Sequence, residues 1–119
     1  LFTYPDAMLV CGKIEFAAER KDVITNPLLI VEVLSSSTQS YDRGDKFALY
    51  RGLPSFAHYL LIHQDEPLIE YHQKTRQGWL LTETAGIDAT LNLETIELSL
   101  PLRELYEGVD WLENDQVTA

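Results

Sequence analysis

Glu32 stands inside LLIVEVL, residues 28 to 34, a run that is otherwise apolar. Strand alternation puts Ile30, Glu32 and Leu34 on one face and Leu29, Val31 and Val33 on the other, so the carboxylate shares its face with aliphatic neighbours. Leaving it ionised and unpaired there costs roughly several kcal/mol, so it must neutralise, meet a cation or sit at the wet end of the strand. Two residues could supply its environment: Asp6, directly after Pro5 on a short strand, and Lys46, in the helix after the Glu32 strand. Carboxylates on neighbouring strands make a hard-oxygen site suited to Mg²⁺, which takes one or two protein carboxylates and completes its shell with water and phosphate oxygens. Arg43, Lys46 and Tyr50 fall at spacings of three and four, along one helix face from which Lys46 can reach back to the strand.

Each of these residues also has a plainer role open to it. Asp6 reads equally as a strand-start carboxylate, Glu32 as a strand-end carboxylate paired with any nearby cation, and Lys46 as a solvated helix lysine. The cluster Ser35, Ser36, Ser37 and Thr38 precedes a helix, where turn and N-cap hydrogen bonding explains it better than nucleophilic chemistry. His58 and His63 point to opposite strand faces, and with His72 they form no metal cluster. Phe47, Tyr59, Tyr71 and Trp79 have the types and spacing of core or interface residues, without the interleaved basic residues of a single-strand binding platform. The tail EGVDWLENDQ reads as a solvated end, with Trp111 anchoring it or meeting a second subunit.

The elements that must position these side chains follow from pattern. YPDAMLVCG, residues 4 to 12, reads as a short strand with Pro5 at its start. Residues 13 to 27 read as an irregular connection with a helical turn around FAAER. LLIVEVL reads as the central strand, covered on both faces. Asp42 to Arg51 reads as one amphipathic helix stopped by Gly52 and Pro54. AHYLLIH, PLIEYHQK and GWLLTET have the spacing of an antiparallel meander. LNLETIELSLP gives a last short strand, and PLRELYEG a helical turn with Pro101 at its first position. There is no repeat, Gly-rich phosphate loop or heptad.

With 119 residues, 45% of them hydrophobic, the chain fits one domain spanning residues 1–119. It opens at Leu1 with a strand-like pattern and no lead-in, which reads as a fragment without its natural N-terminus. The single cysteine, Cys11, excludes an internal disulfide framework and a multi-thiolate zinc site, and fits the cytoplasm. No apolar run approaches the roughly 20 residues of a bilayer span, which argues against a membrane role. Nineteen acidic against nine basic residues give a formal charge of −10, which opposes non-specific binding to a polyanion unless bound divalent cations reverse the sign locally.

The segments YPDAMLV, LLIVEVLSSSTQSYDRGDKFALYRGLPSFAHYLLIHQD and the later GW resemble the Uma-two family of restriction-endonuclease-like proteins, a branch of the PD-(D/E)xK nuclease superfamily. The similarity runs from about Tyr4 to about Tyr106 and is most specific in VEVLSSSTQSYDRGDKFALYR. It implies an α/β (α+β) fold: a restriction-endonuclease-like mixed β-sheet flanked by helices, without the N-terminal helix and early strands that the family carries. It further implies Asp6 and Glu32 as ligands of Mg²⁺ or Mn²⁺ and hydrolysis of phosphodiester bonds in DNA. The superfamily's usual lysine lies two residues after the acid, where this chain has Leu34; Lys46, on the following helix, is the matching displaced lysine. Arg43 is the candidate phosphate contact, or else a support for Asp42 and the loop. Relatives of this kind self-associate, which implies a homodimer. The alternative, consistent with the −10 charge and the absent strand lysine, is a nuclease fold kept as a binding or assembly module without catalysis.

Overall fold

Apolar residues make Pro27–Leu34 a strand with Leu29, Ile30 and Leu34 buried, while Val33, near its end on the face away from the helices, is exposed, so that face is not covered along the whole strand, contrary to expectation. The computed structural model describes residues 5–18, 20–35 and 39–109. Its elements are β1 (Ala7–Val10), β2 (Phe16–Ala17), β3 (Arg20–Ile24), β4 (Pro27–Leu34), α1 (Gln39–Arg43), α2 (Asp45–Tyr50), β5 (His58–His63), β6 (Leu68–Thr75), β7 (Gly78–Ala85), β8 (Thr90–Leu93), β9 (Leu98–Pro101) and α3 (Leu102–Leu105). The fold is α+β. Serines 36 and 37, Thr38 and the tail with Trp111 lie outside the described residues, as does the chain start at Leu1.

Five strands form one mixed sheet in the order β1-β4-β5-β6-β7. The β4–β5 pair is parallel and the other neighbours are antiparallel. A parallel pair cannot be joined by a tight turn, so the chain between β4 and β5 must cross over the sheet, and α1 and α2 lie in that crossover. The helix face of the sheet carries a core of Ile30, Leu34, Phe47, Tyr50, Phe56, Tyr59 and Leu61. The opposite face packs Leu29, Leu60, Ile69 and Tyr71 against Leu91 and Leu93 of the β8–β9 hairpin and Leu102 and Tyr106 at α3. Alternation along β4 thus sends Ile30, Glu32 and Leu34 to the helices and Leu29 and Val31 to the other core.

Five local expectations are corrected. Among the described residues of 13 to 27 there is no helical turn: β2 and β3 pair antiparallel, with Phe16 opposite Ile24. Asn26 closes this hairpin, accepting from the Glu15 N–H at 2.9 Å and donating to the Lys13 carbonyl at 2.9 Å, and this pairing overrides the helix propensity of FAAER. The helix after β4 begins earlier, at Gln39, and is broken at Gly44 (φ −101°, ψ −89°), although the Gly44 N–H still reaches the Ser40 carbonyl at 3.0 Å. The middle of the sheet is β5, with β4 beside it. LNLETIELSLP makes two strands, not one, folded back through a 3₁₀ turn at Glu94–Ile96 with Glu97 in the left-handed region at φ 54°. Pro101 occupies the N-cap of α3, one place before the first helical position.

Phe47 is the apolar anchor that seats α2 on the sheet. Its ring stacks on Tyr59 at 4.9 Å and meets Trp79 edge-on at 5.0 Å, while the Arg51 guanidinium lies 4.6 Å from its centroid. Phe47→Ala should lower unfolding free energy by about 3–5 kcal/mol in urea titration. Leu49→Ala, on the same helix but exposed, should stay within about 0.5 kcal/mol.

Candidate functional site

The carboxylate of Glu32 is 1% exposed and meets its counter-charge from the crossover. Lys46 Nζ lies 2.7 Å from Glu32 Oε2, and the Tyr50 hydroxyl donates to Oε1 at 3.0 Å. Lys46 and Tyr50 are four residues apart on α2 and so share the helix face that looks down on β4. Burial pushes the Glu32 pKa above its ordinary value of 4.5, and the Asp6 charge pushes the same way, against the opposing pull of Lys46 and Tyr50. For Lys46, burial works against the ammonium, but the Glu32 and Asp42 carboxylates outweigh it and its pKa lies above 10.5.

Asp6 reaches the same place from β1. Ala7 pairs with Val31, so Asp6, one residue earlier, stands opposite Glu32 at the end of the ladder. Its Oδ2 accepts from the Val33 N–H at 2.7 Å, a structural service that ties the start of β1 to β4. Asp6, Glu32 and Lys46 are therefore brought together. The position usually held by the strand lysine is not available here, because Leu34 is buried beside Phe47.

Asp6 and Glu32 are two hard oxygen donors on neighbouring strands, a set that fits a hydrated divalent cation such as Mg²⁺ or Mn²⁺. Among the described residues, no group of three or more His, Cys, Asp or Glu side chains is placed to hold a metal. An ion at this pair would thus keep most of its water.

Arg43 goes elsewhere. Its Nε donates to Glu70 Oε1 at 3.2 Å, and its Nη2 bonds Glu70 Oε2, a two-pronged pairing. His63 Nε2 lies 2.7 Å from the same Oε2. Glu70 sits two strands from Glu32 in one register row, Glu32–Leu61–Glu70–Glu83. Two charged clusters therefore sit side by side on the helix face, one under Lys46 and one under Arg43. The sequence reading passed over Glu70, although it stands in LIEY between two apolar residues just as Glu32 does in LIVEV. Asp42 was also passed over as a site residue: it is 2% exposed, and its Oδ1 lies 3.3 Å from Lys46 Nζ.

A mixed sheet is thus crossed by helices over a buried carboxylate, with Asp6 beside it and Lys46 close by. A solved structure of similar fold, described as "a putative nuclease belonging to DUF820" from Anabaena variabilis, superposes with a TM-score of 0.55 at 15% identity, over 71% of this chain and 46% of that one. The chain belongs to the Uma2 family, described as "Putative restriction endonuclease", which matches residues 1–103. Two similar proteins from Synechocystis sp., both described as uncharacterized, are each 38% identical to it; the matches cover 82% and 91% of this chain and 55% and 56% of the relatives. The chain thus spans about half the length of these curated relatives.

The Glu70 cluster makes a pH prediction. Burial raises the Glu70 pKa, but the bonds from Arg43 and His63 outweigh it and hold it below 4.5. A depressed carboxylate stabilises the fold above its unfolded pKa and loses that contribution as pH falls through the folded value. Glu70→Gln should therefore cost about 2 kcal/mol at pH 7. That deficit should shrink as pH is lowered from 4.5, as read by urea midpoints across an acid series.

Proposed function

We propose that this chain carries the active centre of a metal-dependent nuclease that hydrolyses phosphodiester bonds in DNA. The observation that supports it most is the 2.7 Å contact between Lys46 and Glu32: a lysine fourteen residues along the chain reaches the buried acid, while the strand position two residues on is filled by Leu34. The family's description and the nuclease of similar fold support the same class.

Asp6 and Glu32 would hold Mg²⁺ or Mn²⁺, which when bound polarises a phosphate and lowers the pKa of water. Lys46 presents an ammonium beside Glu32, where it orients a water molecule and stabilises negative charge developing on phosphate oxygens. Tyr50 fixes the second oxygen of Glu32, so the carboxylate cannot rotate away from the lysine without losing a hydrogen bond. Arg43 is the substrate contact in this reading, facing DNA from the neighbouring cluster while Glu70 holds its guanidinium. The proposal includes a homodimer, supported by exposed Leu80 and Leu81 on the outer strand β7, and the cytoplasm, supported by the single cysteine.

Incubation of the protein with plasmid DNA and Mg²⁺ or Mn²⁺ should give cleavage that a chelator abolishes. Glu32→Ala and Asp6→Ala should remove it, and Lys46→Ala should slow it by about 10²–10³-fold. Wild-type protein that leaves DNA intact, or variants that cut as fast as wild type, would sink the nuclease reading.

A second reading, a nuclease fold kept for binding or assembly, is favoured by the −10 charge and by the engagement of both Glu32 oxygens within the protein. Calorimetric titration with Mn²⁺ separates the two. Binding that disappears in Glu32→Ala is expected for the enzyme, and silence at millimolar Mn²⁺ for the module.

A further inference from the structure

Lys46 is held on more than one side. Glu32 Oε2 lies 2.7 Å from its Nζ, Asp42 Oδ1 lies 3.3 Å away, and the Tyr41 ring centroid is at 5.8 Å. Asp42 is more buried than the lysine it faces, with a side chain 3% exposed against 13%. Among the described residues, no hydrogen-bond donor is aligned on Asp42 Oδ1; the ammonium meets it as an ion pair. A carboxylate kept out of water is expensive to place unless it is paired, and the partner given to Oδ1 is the Lys46 ammonium.

α1 is also attached in an unusual way. It has five residues, too few to be stable as a helix in isolation, and of Ser40, Tyr41, Asp42 and Arg43 only Asp42 is buried. What fastens it to the sheet is polar. The fully buried Tyr59 donates its hydroxyl to the Asp42 carbonyl at 2.7 Å, and the next residue, Arg43, is paired with Glu70. The fastenings fall on Asp42 itself and on the residue after it, so they fix the place where that carboxylate stands. Asp42 and Lys46 lie four residues apart across the Gly44 break, where a rigid register between the two short helices matters most.

We infer that Asp42 is a positioning residue: it holds the Lys46 ammonium as a second carboxylate beside Glu32, and Tyr59 and the Arg43–Glu70 pair hold Asp42 in turn. The role follows from the arrangement. A lysine paired with Glu32 alone would follow that carboxylate wherever ligand binding drew it, whereas a second fixed carboxylate keeps the ammonium between two anchors. Its consequence for turnover rests on the nuclease reading; its consequence for Lys46 does not.

The test has two arms. In the first, the ammonium protons of ¹⁵N-labelled lysines are followed by heteronuclear NMR in the metal-free protein. Lys46 should exchange with water far more slowly than the exposed Lys13 and Lys74, and Asp42→Asn should remove most of that protection. A Lys46 signal that exchanges like Lys74 in wild type, or that is unchanged in Asp42→Asn, overturns the inference. Asp42→Ser is measured beside Asp42→Asn, so that failure of one variant to fold leaves the comparison standing, and wild-type protection of Lys46 in either overturns the inference.

In the second arm, Asp42→Asn should lower kcat by about 10–100-fold with KM within about twofold, the scale expected for loss of an outer partner of a site group. It should have no further effect in a Lys46→Met background, because a residue acting through Lys46 has nothing left to position. Equal losses in both backgrounds, or a loss confined to KM, overturn it. Should wild-type protein cleave no DNA, the nuclease reading falls, and the NMR arm still decides the position of Lys46.

Discussion

A carboxylate buried on a strand must find its compensation within the protein, and at Glu32 the compensation comes from the crossover helices. Parallel pairing of β4 with β5 obliges the chain to leave one end of the sheet and return to the other, so those helices pass over the face that Glu32 occupies. Phe47 and Tyr50 give α2 its apolar grip there, and the same turn of helix delivers Lys46 and the Tyr50 hydroxyl to the two oxygens of Glu32. Topology and electrostatics are thus met by one segment. A buried ion pair is weak evidence for stability, since apolar replacements of similar volume often leave a protein as stable or more so. Stability alone therefore does not account for this pair.

How far this could be read from the chain depends on how local each signal is. Alternation along LLIVEVL placed Glu32 with Ile30 and Leu34, and the structure puts that face under the helices. Spacings of three and four placed Lys46 and Tyr50 on one helix face, and both reach Glu32. Signals that depend on partners remote in sequence were not legible. FAAER has helical propensity, and only the side-chain bonds from Asn26 to Lys13 and Glu15 show why the segment turns back as a hairpin. The break at Gly44 and the central place of β5 likewise depend on tertiary packing.

Glu70 is the instructive omission. It carries the same warning as Glu32, a carboxylate alternating with buried apolar residues, but its partners come from β5 and α1, and only the register of three strands shows that Arg43 can reach it. The helix spacing let Lys46 reach back to the strand and left Arg43 as a phosphate contact or a support for Asp42 and the loop. The structure gives each a carboxylate on the sheet, and that separates the helix face into two clusters: one near Asp6, just before β1, the other joining the first helix to β6.

In the nuclease reading, a lysine delivered by the helix also changes what the strand can do. With lysine two residues after the acid, position 34 would have to carry a charge into the buried cluster that holds Phe47, Tyr50, Phe56 and Tyr59. With leucine there, β4 closes the core beneath α2, and the charge arrives instead on a helix that this core itself seats. The exchange makes the position of Lys46 depend on the crossover rather than on the strand, so its precision is only as good as the attachment of two short helices. Their apolar grip lies in α2, while α1 is fastened by Tyr59 and Glu70 through polar bonds. A lysine moved off a rigid strand needs such fastening, and the buried carboxylates around it, costly on their own, make physical sense as its supports.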